Sequence, residues 1–319
     1  MFGTPETPMH PLPSMRQLRY FIAVAEARHF RRAADTLGIS QPSLSLQIGN
    51  LETLLGTSLI ERGRGPITLT PAGREVFVLA RRAVDEAQAI LDMTAAMRGG
   101  LTGTIRLGSS PSLGPYLLPR VVEHLHRTFP ELRLYIRERV PRLLREELLD
   151  GTHDIVLSQL PIQGGDLFVR RLFMEPLLLT VPADHPLSGR TSIGVKDIAG
   201  LQVLSLGPDF VLHDQISVIC AEYGAELVRD YEGTSLDALR QMVAMGMGVA
   251  FLPQLYVASE IDPREAGVVA LPLSRSSFIR SIGLVWRRGS GAGLIYDRVA
   301  DEIVDVSRSA FGRMLRFET

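Results

Sequence analysis

The chain is poor in the residues that announce covalent or metal chemistry. It has one cysteine, Cys220, in 319 residues. No disulfide can form within the chain, and no thiolate cluster can hold a metal. There is one lysine, Lys196, so nearly every cation is an arginine, a bias to which no function attaches. No run of eighteen apolar residues occurs, so no membrane span is expected. The formal net charge is −1 and does not point to nucleic acid. Its distribution says a little more. Residues 1–100 hold 11 arginines against 9 acidic residues, and the remainder holds 23 basic against 26 acidic. That fits a mildly basic end on a near-neutral body. The first fourteen residues, MFGTPETPMHPLPS, carry four prolines and lack the basic start and apolar core of a secretory signal. They are expected to be a disordered extension, and the chain to be cytoplasmic. His124 and His126 are two apart and point to different sides of a helix, and His29, His153, His185 and His213 have no ligand spacing. Asp154 opens a strand and reads as a sheet-end residue, not a general base. No nucleophile–base pair or Gly-rich phosphate loop stands out. No catalytic residue, metal or cofactor is expected, and the chain does not read as an enzyme.

What is present begins with Phe30–Glu52, FRRAADTLGISQPSLSLQIGNLE. Ala33, Ala34 and Leu37 put small and apolar side chains on one face of a short helix, and Gly38 can end it in a left-handed conformation. Ser40 is an N-cap for a second helix whose first turn tolerates Pro42. Leu44, Ile48, Leu51 and Leu55 recur at helical spacing and should pack inward. The other side carries Gln41, Ser43, Ser45, Gln47 and Asn50, short donor–acceptor side chains of the kind that read base edges. A merely solvated face more often carries Lys and Glu. Arg16–Ala27 reads as a preceding helix, and Leu59–Thr70 as a hairpin wing with Arg62 and Arg64 beside its glycines. The order is that of a winged helix-turn-helix. Candidate DNA contacts are Arg32, Ser40, Gln41, Pro42, Ser43, Ser45, Gln47, Asn50, Arg62 and Arg64.

Phe21, Ala33–Ala34, Gln41-Pro42, Ser45, Gln47-Ile48, Leu51-Glu52, Gly56, Leu59, Arg62 and Thr70-Pro71-Ala72-Gly73 fall in one register over about sixty residues. In this the chain resembles the LysR-type transcriptional regulators. Leu46 and Gly49-Asn50 depart from the family's basic residues at those positions, which should lower nonspecific affinity for DNA. The resemblance implies promoter DNA, RNA polymerase and a small-molecule effector as partners, and self-association to dimers and tetramers.

Thr70-Pro71 should open a long helix. Val76, Ala80, Ala83, Ala87, Ile90, Thr94 and Met97 follow a 4-3 rhythm, a heptad seam suited to a dimerising linker, although such a helix can also pack on its own domain. Gly99-Gly100 and Gly103 should form a hinge. Beyond it, short apolar strands alternate with helices, which implies parallel or mixed sheets covered by helices. The strands are expected at 105–109, 132–137, 154–158, 177–181, 201–206, 249–252 and 282–286. The expected fold class is α + α/β. A disordered extension covers 1–14, a winged helix-turn-helix 15–70, a linker helix 71–99 and an effector domain 104–310. The family resemblance implies two lobes like those of a periplasmic binding protein, with chain crossings near 160–175 and 270–280. Lobe I then spans about 104–165 and 275–310, and lobe II about 166–274.

Ligands of α/β sheets bind beyond the carboxyl ends of strands, where helix N-termini offer free N–H groups. Ser109–Ser112, Gly207–Val211 and Gly233–Ser235 occupy such places. Taken singly, each also reads as an ordinary helix cap. Candidate effector contacts are Ser110, Ser112, Phe210, Val211, Thr234 and Ser235, and an anionic effector would suit them. Gly114-Pro115-Tyr116-Leu117-Leu118-Pro119, Arg28–Asp35, Leu212-His213-Asp214-Gln215 and Thr234-Ser235-Leu236 further resemble the peroxide-sensing, OxyR-type branch of that family. The branch places a reactive cysteine where this chain has Val211, and a second where it has Cys220. Phe210 and Asp230 stand where the branch has histidines, and Ser112 where it has threonine. The peroxide chemistry therefore does not carry over. Ile216, Ile219, Cys220 and Tyr223 share one apolar helix face, so Cys220 reads as core. A redox regulator using Cys220 between subunits is the alternative.

Overall fold

In a computed structural model of the chain, the described residues are 12–61, 66–96, 101–162, 164–229, 233–262, 267–274 and 278–317. The chain divides into two compact units, Met1–Leu91 and Asp92–Thr319.

The first unit contains α1 (Met15–Ala27), α2 (Phe30–Leu37), α3 (Gln41–Leu55), β1 (Ile60–Glu61), β2 (Thr68–Leu69) and most of α4 (Pro71–Ala96). Ser14 and Gln17 close a capping box at the start of α1. Gly38 ends α2 at φ 66°, in the left-handed region that a side chain would strain. Phe21, Val24, Leu44, Leu51 and Leu59 are buried together as the core. β1 and β2 pair antiparallel as the wing, whose tip, with Arg62 and Arg64, lies outside the described residues. Glu52 fixes the entry to the wing by accepting from the Leu59 and Ile60 N–H groups at 2.8 and 3.2 Å. Thr70 caps α4, and Gly73 lets the helix approach the wing: a Cβ there would stand 2.0 Å from the Leu59 carbonyl oxygen.

The heptad seam packs in part on its own domain. Ala80 is buried in this unit's own core, and Val76 and Ala83 are partly buried against it, so the first half of the seam also packs within the domain. Among the described residues, the apolar side chains that α4 leaves exposed are Leu79 (61 %) and Ile90 (63 %). Of the hinge glycines, Gly99 and Gly100 lie outside the described residues, and Gly103 opens a strand.

The second unit holds one mixed sheet. Its elements are β3 (Gly103–Ser109), α5 (Gly114–Thr128), β4 (Leu132–Glu138), α6 (Pro141–Leu149), β5 (Ile155–Gln159) and β6 (Leu167–Pro182). They continue with β7 (Gln202–Leu204), α7 (Val211–Tyr223), β8 (Glu226–Leu227), α8 (Leu236–Ala244), β9 (Val249–Pro253), α9 (Gln254–Glu260), β10 (Val268–Leu271), β11 (Ile279–Arg287) and α10 (Gly293–Phe311). The strand order is β4-β3-β5-β11-β6-β9-β7-β8, with β10 also on β6. Strand β6 makes the two lobes. Its residues 167–176 pair with β11, and residues 177–182 pair with β9 and β10. Residues 167–176 therefore lie in the sheet of lobe I, not lobe II, and the first crossing falls at Pro176–Leu177. The return crossing runs from β10 to β11. The two lie side by side, the Leu177 N–H donating to the Phe278 carbonyl at 2.8 Å.

Candidate functional site

Two places can carry function, one in each unit. In the first, α3 presents a face without charge. Ser40 lies in extended backbone just before it and accepts from the Ser43 N–H at 3.3 Å, so its hydroxyl is committed to the cap. Leu44, Ile48 and Leu51 are buried, and Gln41, Pro42, Ser43, Ser45, Leu46 and Asn50 are exposed, with Gln47 half-buried. Arg32 is exposed on α2. Pro42, Leu46, Gly49 and Thr53 follow at i, i+4, i+7 and i+11 and share the outward side. Leu46 is thus at the centre of the exposed face, among the amide and hydroxyl side chains.

In the second unit a cleft of about 940 Å³ opens between the lobes. Lobe I contributes the start of α6 and the end of β5, including Gln159, Leu160 and Pro161. Lobe II contributes the β7–α7 loop and one side of α7, and β11 supplies Ile279, Arg280 and Ser281. Arg142 on α6 faces Asp209 before α7 at 3.3 Å, an ion pair across the two walls. An amide ladder ties the walls deeper down. Gln215 Nε2 donates to the Ile279 carbonyl at 2.7 Å, and Gln159 Nε2 donates to Gln215 Oε1 at 2.9 Å.

Of the six expected effector contacts, Phe210 and Val211 line this cleft, while Ser110, Ser112, Thr234 and Ser235 do not. Ser112 is buried as an acceptor for Arg280: Nη1 reaches its hydroxyl at 3.1 Å and Nη2 its carbonyl at 2.9 Å. Arg280 also donates through Nε to Glu175 Oε2 at 2.8 Å, and both side chains are 0 % exposed. Glu175 Oε1 accepts from the Leu255 N–H at 2.7 Å, so this cluster pins β11, β6, the β3–α5 turn and the start of α9 together. Ser110 is buried without contact to the cleft, Ser235 caps α8, and Thr234 is exposed. Asp230 lies outside the described residues. Ser235 is spent on its helix cap and Ser112 on Arg280, whereas the Ser110 hydroxyl is buried with no hydrogen-bond partner among the described residues. The lining residues that sequence reasoning missed include Gln159, Asp214, Gln215 and Glu222. Their one visible signal was Asp214-Gln215 in the first turn of α7.

Cys220 is 3 % exposed among the apolar residues of lobe II, and burial pushes its thiol up to about 11. Asp154 accepts from the Arg106 side chain at 2.6 Å and from its N–H at 2.7 Å, a sheet-end role. Among the described residues, no group of three or more His, Cys, Asp or Glu side chains could hold a metal, and no helix is long and apolar enough to cross a membrane.

Comparison with known proteins agrees in both units. The family model described as the bacterial regulatory helix-turn-helix protein of the lysR family matches residues 15–74, and that of the LysR substrate binding domain matches residues 98–307. The DNA-binding transcriptional dual regulator OxyR of Escherichia coli (strain K12) is 38% identical over 304 residues, covering 95% of this chain and 99% of that protein. A probable hydrogen peroxide-inducible genes activator of Streptomyces viridosporus is 34% identical over 305 residues, covering 95% and 97%. Among solved structures, full-length OxyR of Pseudomonas aeruginosa with an aspartate in place of a cysteine superposes with a TM-score of 0.77 at 32% identity, covering 92% of this chain and 98% of that one. The chain belongs to the LysR family of DNA-binding transcriptional regulators, with a helix-turn-helix domain followed by an effector-binding domain.

Proposed function

We propose that this regulator reads promoter DNA with the exposed face of α3 and is controlled by a small molecule in the interlobe cleft, without thiol chemistry. Gln41, Ser43, Ser45, Gln47 and Asn50 contact base edges, while Arg32, Arg62 and Arg64 contact phosphates. Ser40 and Pro42 set the start of the helix. Two copies meet along α4 to span a dyad-related site, two dimers form a tetramer, and RNA polymerase is the downstream partner. The setting is the cytoplasm, and no reaction is catalysed.

The observation that carries the effector reading is the cleft itself, walled by both lobes and joined across them by the Arg142–Asp209 pair and the Gln159–Gln215 ladder. A ligand seated beside these groups, touching both walls, favours one lobe spacing over the other, which is how differential affinity shifts a two-state equilibrium. Relatives named as hydrogen peroxide-inducible activators suggest a second reading, a peroxide response through Cys220. Against it stand the buried thiol and the aliphatic Val211 at the start of α7. A thiol raised to about 11 is a poor nucleophile. The test is reporter expression from the cognate promoter with and without peroxide, in the wild type and in Cys220→Ser. Unchanged regulation in the variant is expected. A peroxide response in the wild type that Cys220→Ser abolishes refutes the reading.

A further inference from the structure

The polarity of the cleft identifies the class of ligand, on the reading that the cleft is the effector site. Its cations are already engaged. Arg280 is spent on Glu175 and Ser112, Arg142 on Asp209, and Arg145 also has a partner. The acceptors are not. Gln159 is 5 % exposed, and its Oε1 has no hydrogen-bond partner among the described residues. The orientation of this amide is fixed by a chain of necessity. The Ile279 carbonyl can only accept, so Gln215 turns its NH₂ toward it and offers Oε1 to Gln159. Gln159 must answer with its NH₂, which leaves its own oxygen as a buried, unpaired acceptor. Asp214 and Glu222, eight residues apart on the cleft side of α7, likewise make no hydrogen bond or ion pair among the described residues. Leu160, Pro161, Val211 and Val218 supply apolar surface beside them.

We propose that the effector is an organic cation, an amine whose N–H groups meet Gln159 Oε1 and the Asp214 carboxylate and whose apolar body lies on Val211 and Val218. A buried acceptor left unpaired costs free energy that a donor on the ligand recovers. A carboxylate ligand would instead face three acceptors, and would have to draw Arg142 away from Asp209 to find a cation. This reverses the anionic effector expected from the strand-end hydroxyls.

The test uses three near-isosteric probes on the full chain by titration calorimetry: 2-phenylethylamine, 3-phenylpropionate and N,N,N-trimethyl-2-phenylethylammonium. The amine should bind at least about tenfold, or about 1.4 kcal/mol, tighter than the carboxylate. The trimethyl compound keeps the charge but donates nothing, and should also bind about tenfold more weakly than the amine. Gln159→Leu should erase the difference between the two cations. Asp214→Asn, at an exposed position that leaves the amide ladder intact, should weaken both cations. Val211→Trp fills the cleft and serves as the control for location, with circular dichroism confirming that each variant is folded. Equal or tighter binding of the carboxylate, abolished by Val211→Trp, overturns the amine assignment and leaves the cleft reading standing. Absence of heat with every probe also overturns the amine assignment. Amine binding that survives Val211→Trp places the ligand elsewhere and overturns both.

Discussion

Replacing Arg280 by methionine asks whether the floor of the cleft is a structural pin or a ligand clamp. In the intact protein the guanidinium makes three hydrogen bonds, at 2.8 Å to Glu175 and at 3.1 and 2.9 Å to Ser112. Methionine preserves much of the volume and removes all three. The Glu175 carboxylate is then left with the Leu255 N–H as its hydrogen-bond donor in a site with no exposure. Breaking one partner of a buried pair costs about 3–5 kcal/mol, because the other charge remains desolvated. At about 2–4 °C per kcal/mol for a domain of this size, the effector domain should melt roughly 6–20 °C lower. The measurement is specific, since the single tryptophan, Trp286, is buried in β11 and reports this unit. Adding Glu175→Met removes the stranded charge and should recover part of the loss. The remainder is the unpaired Ser112 carbonyl and Leu255 N–H, about 1–3 kcal/mol each. A decrease below about 3 °C for Arg280→Met, or a double variant no more stable than the single one, would refute the argument that this ion pair is a hinge pin.

The other predictions concern the two ends of the regulatory path. Gln41→Ala should weaken binding to the cognate operator by about 1–3 kcal/mol and leave random DNA nearly unaffected, as measured by competition in gel shifts; equal losses on both would mean that Gln41 does not read bases. Leu79→Glu with Ile90→Glu puts charge on the apolar side chains that α4 leaves exposed, and should reduce dimerisation in sedimentation while Ala83→Glu chiefly lowers the melting temperature of the winged domain. The opposite pattern would restore the original heptad seam. For Cys220, a thiol raised to about 11 is deprotonated above that pH and almost wholly protonated at neutrality, with thiolate on the order of one part in ten thousand. Ellman's reagent should therefore leave it unmodified in the native protein at pH 7 and modify it once unfolded; rapid labelling of the folded chain would revive the redox alternative.

Local signals carried the sequence reading a long way, and their limits are physical. Ser40, Pro42, Gly38 and the 44–48–51 stripe specify the two helices of the DNA-binding motif because caps and helical periodicity act within a few residues. Gly73 was legible only as part of a motif; its reason, the approach of the Leu59 carbonyl, is tertiary. The first ten residues of β6 were hidden because Arg170, Arg171, Glu175 and Pro176 break the apolar run. Their charges are met from elsewhere in the fold: Arg170 by Asp297 and Asp301 of α10, and Glu175 by Arg280. The α4 repeat does not name its own partner, because a 4-3 rhythm fits a partner helix and a domain core equally well, and Ala80 is taken by the core.

The expected effector contacts coincide only in part with the cleft lining, for a related reason. A serine at a strand end has the same sequence signature whether it caps a helix, receives an arginine or faces a ligand. Ser235 does the first and Ser112 the second. What separates these outcomes is which partner arrives from distant sequence. Arg280 reaches Ser112 across 168 positions, and Gln215 reaches Gln159 across 56. The second contact matters most. An amide has a donor end and an acceptor end, and no local pattern says which one a protein leaves open. Here a backbone carbonyl at Ile279 decides it, two hydrogen bonds away, and leaves an oxygen at the cleft. The sign of the ligand's hydrogen bond is therefore a property of the ladder and not of Gln159. It follows that Gln215→Leu, although it removes no proposed ligand contact, should free Gln159 to rotate and so reduce the discrimination between the amine and its trimethyl analogue. Discrimination unchanged in a folded Gln215→Leu protein would show that the ladder does not set the polarity of the site.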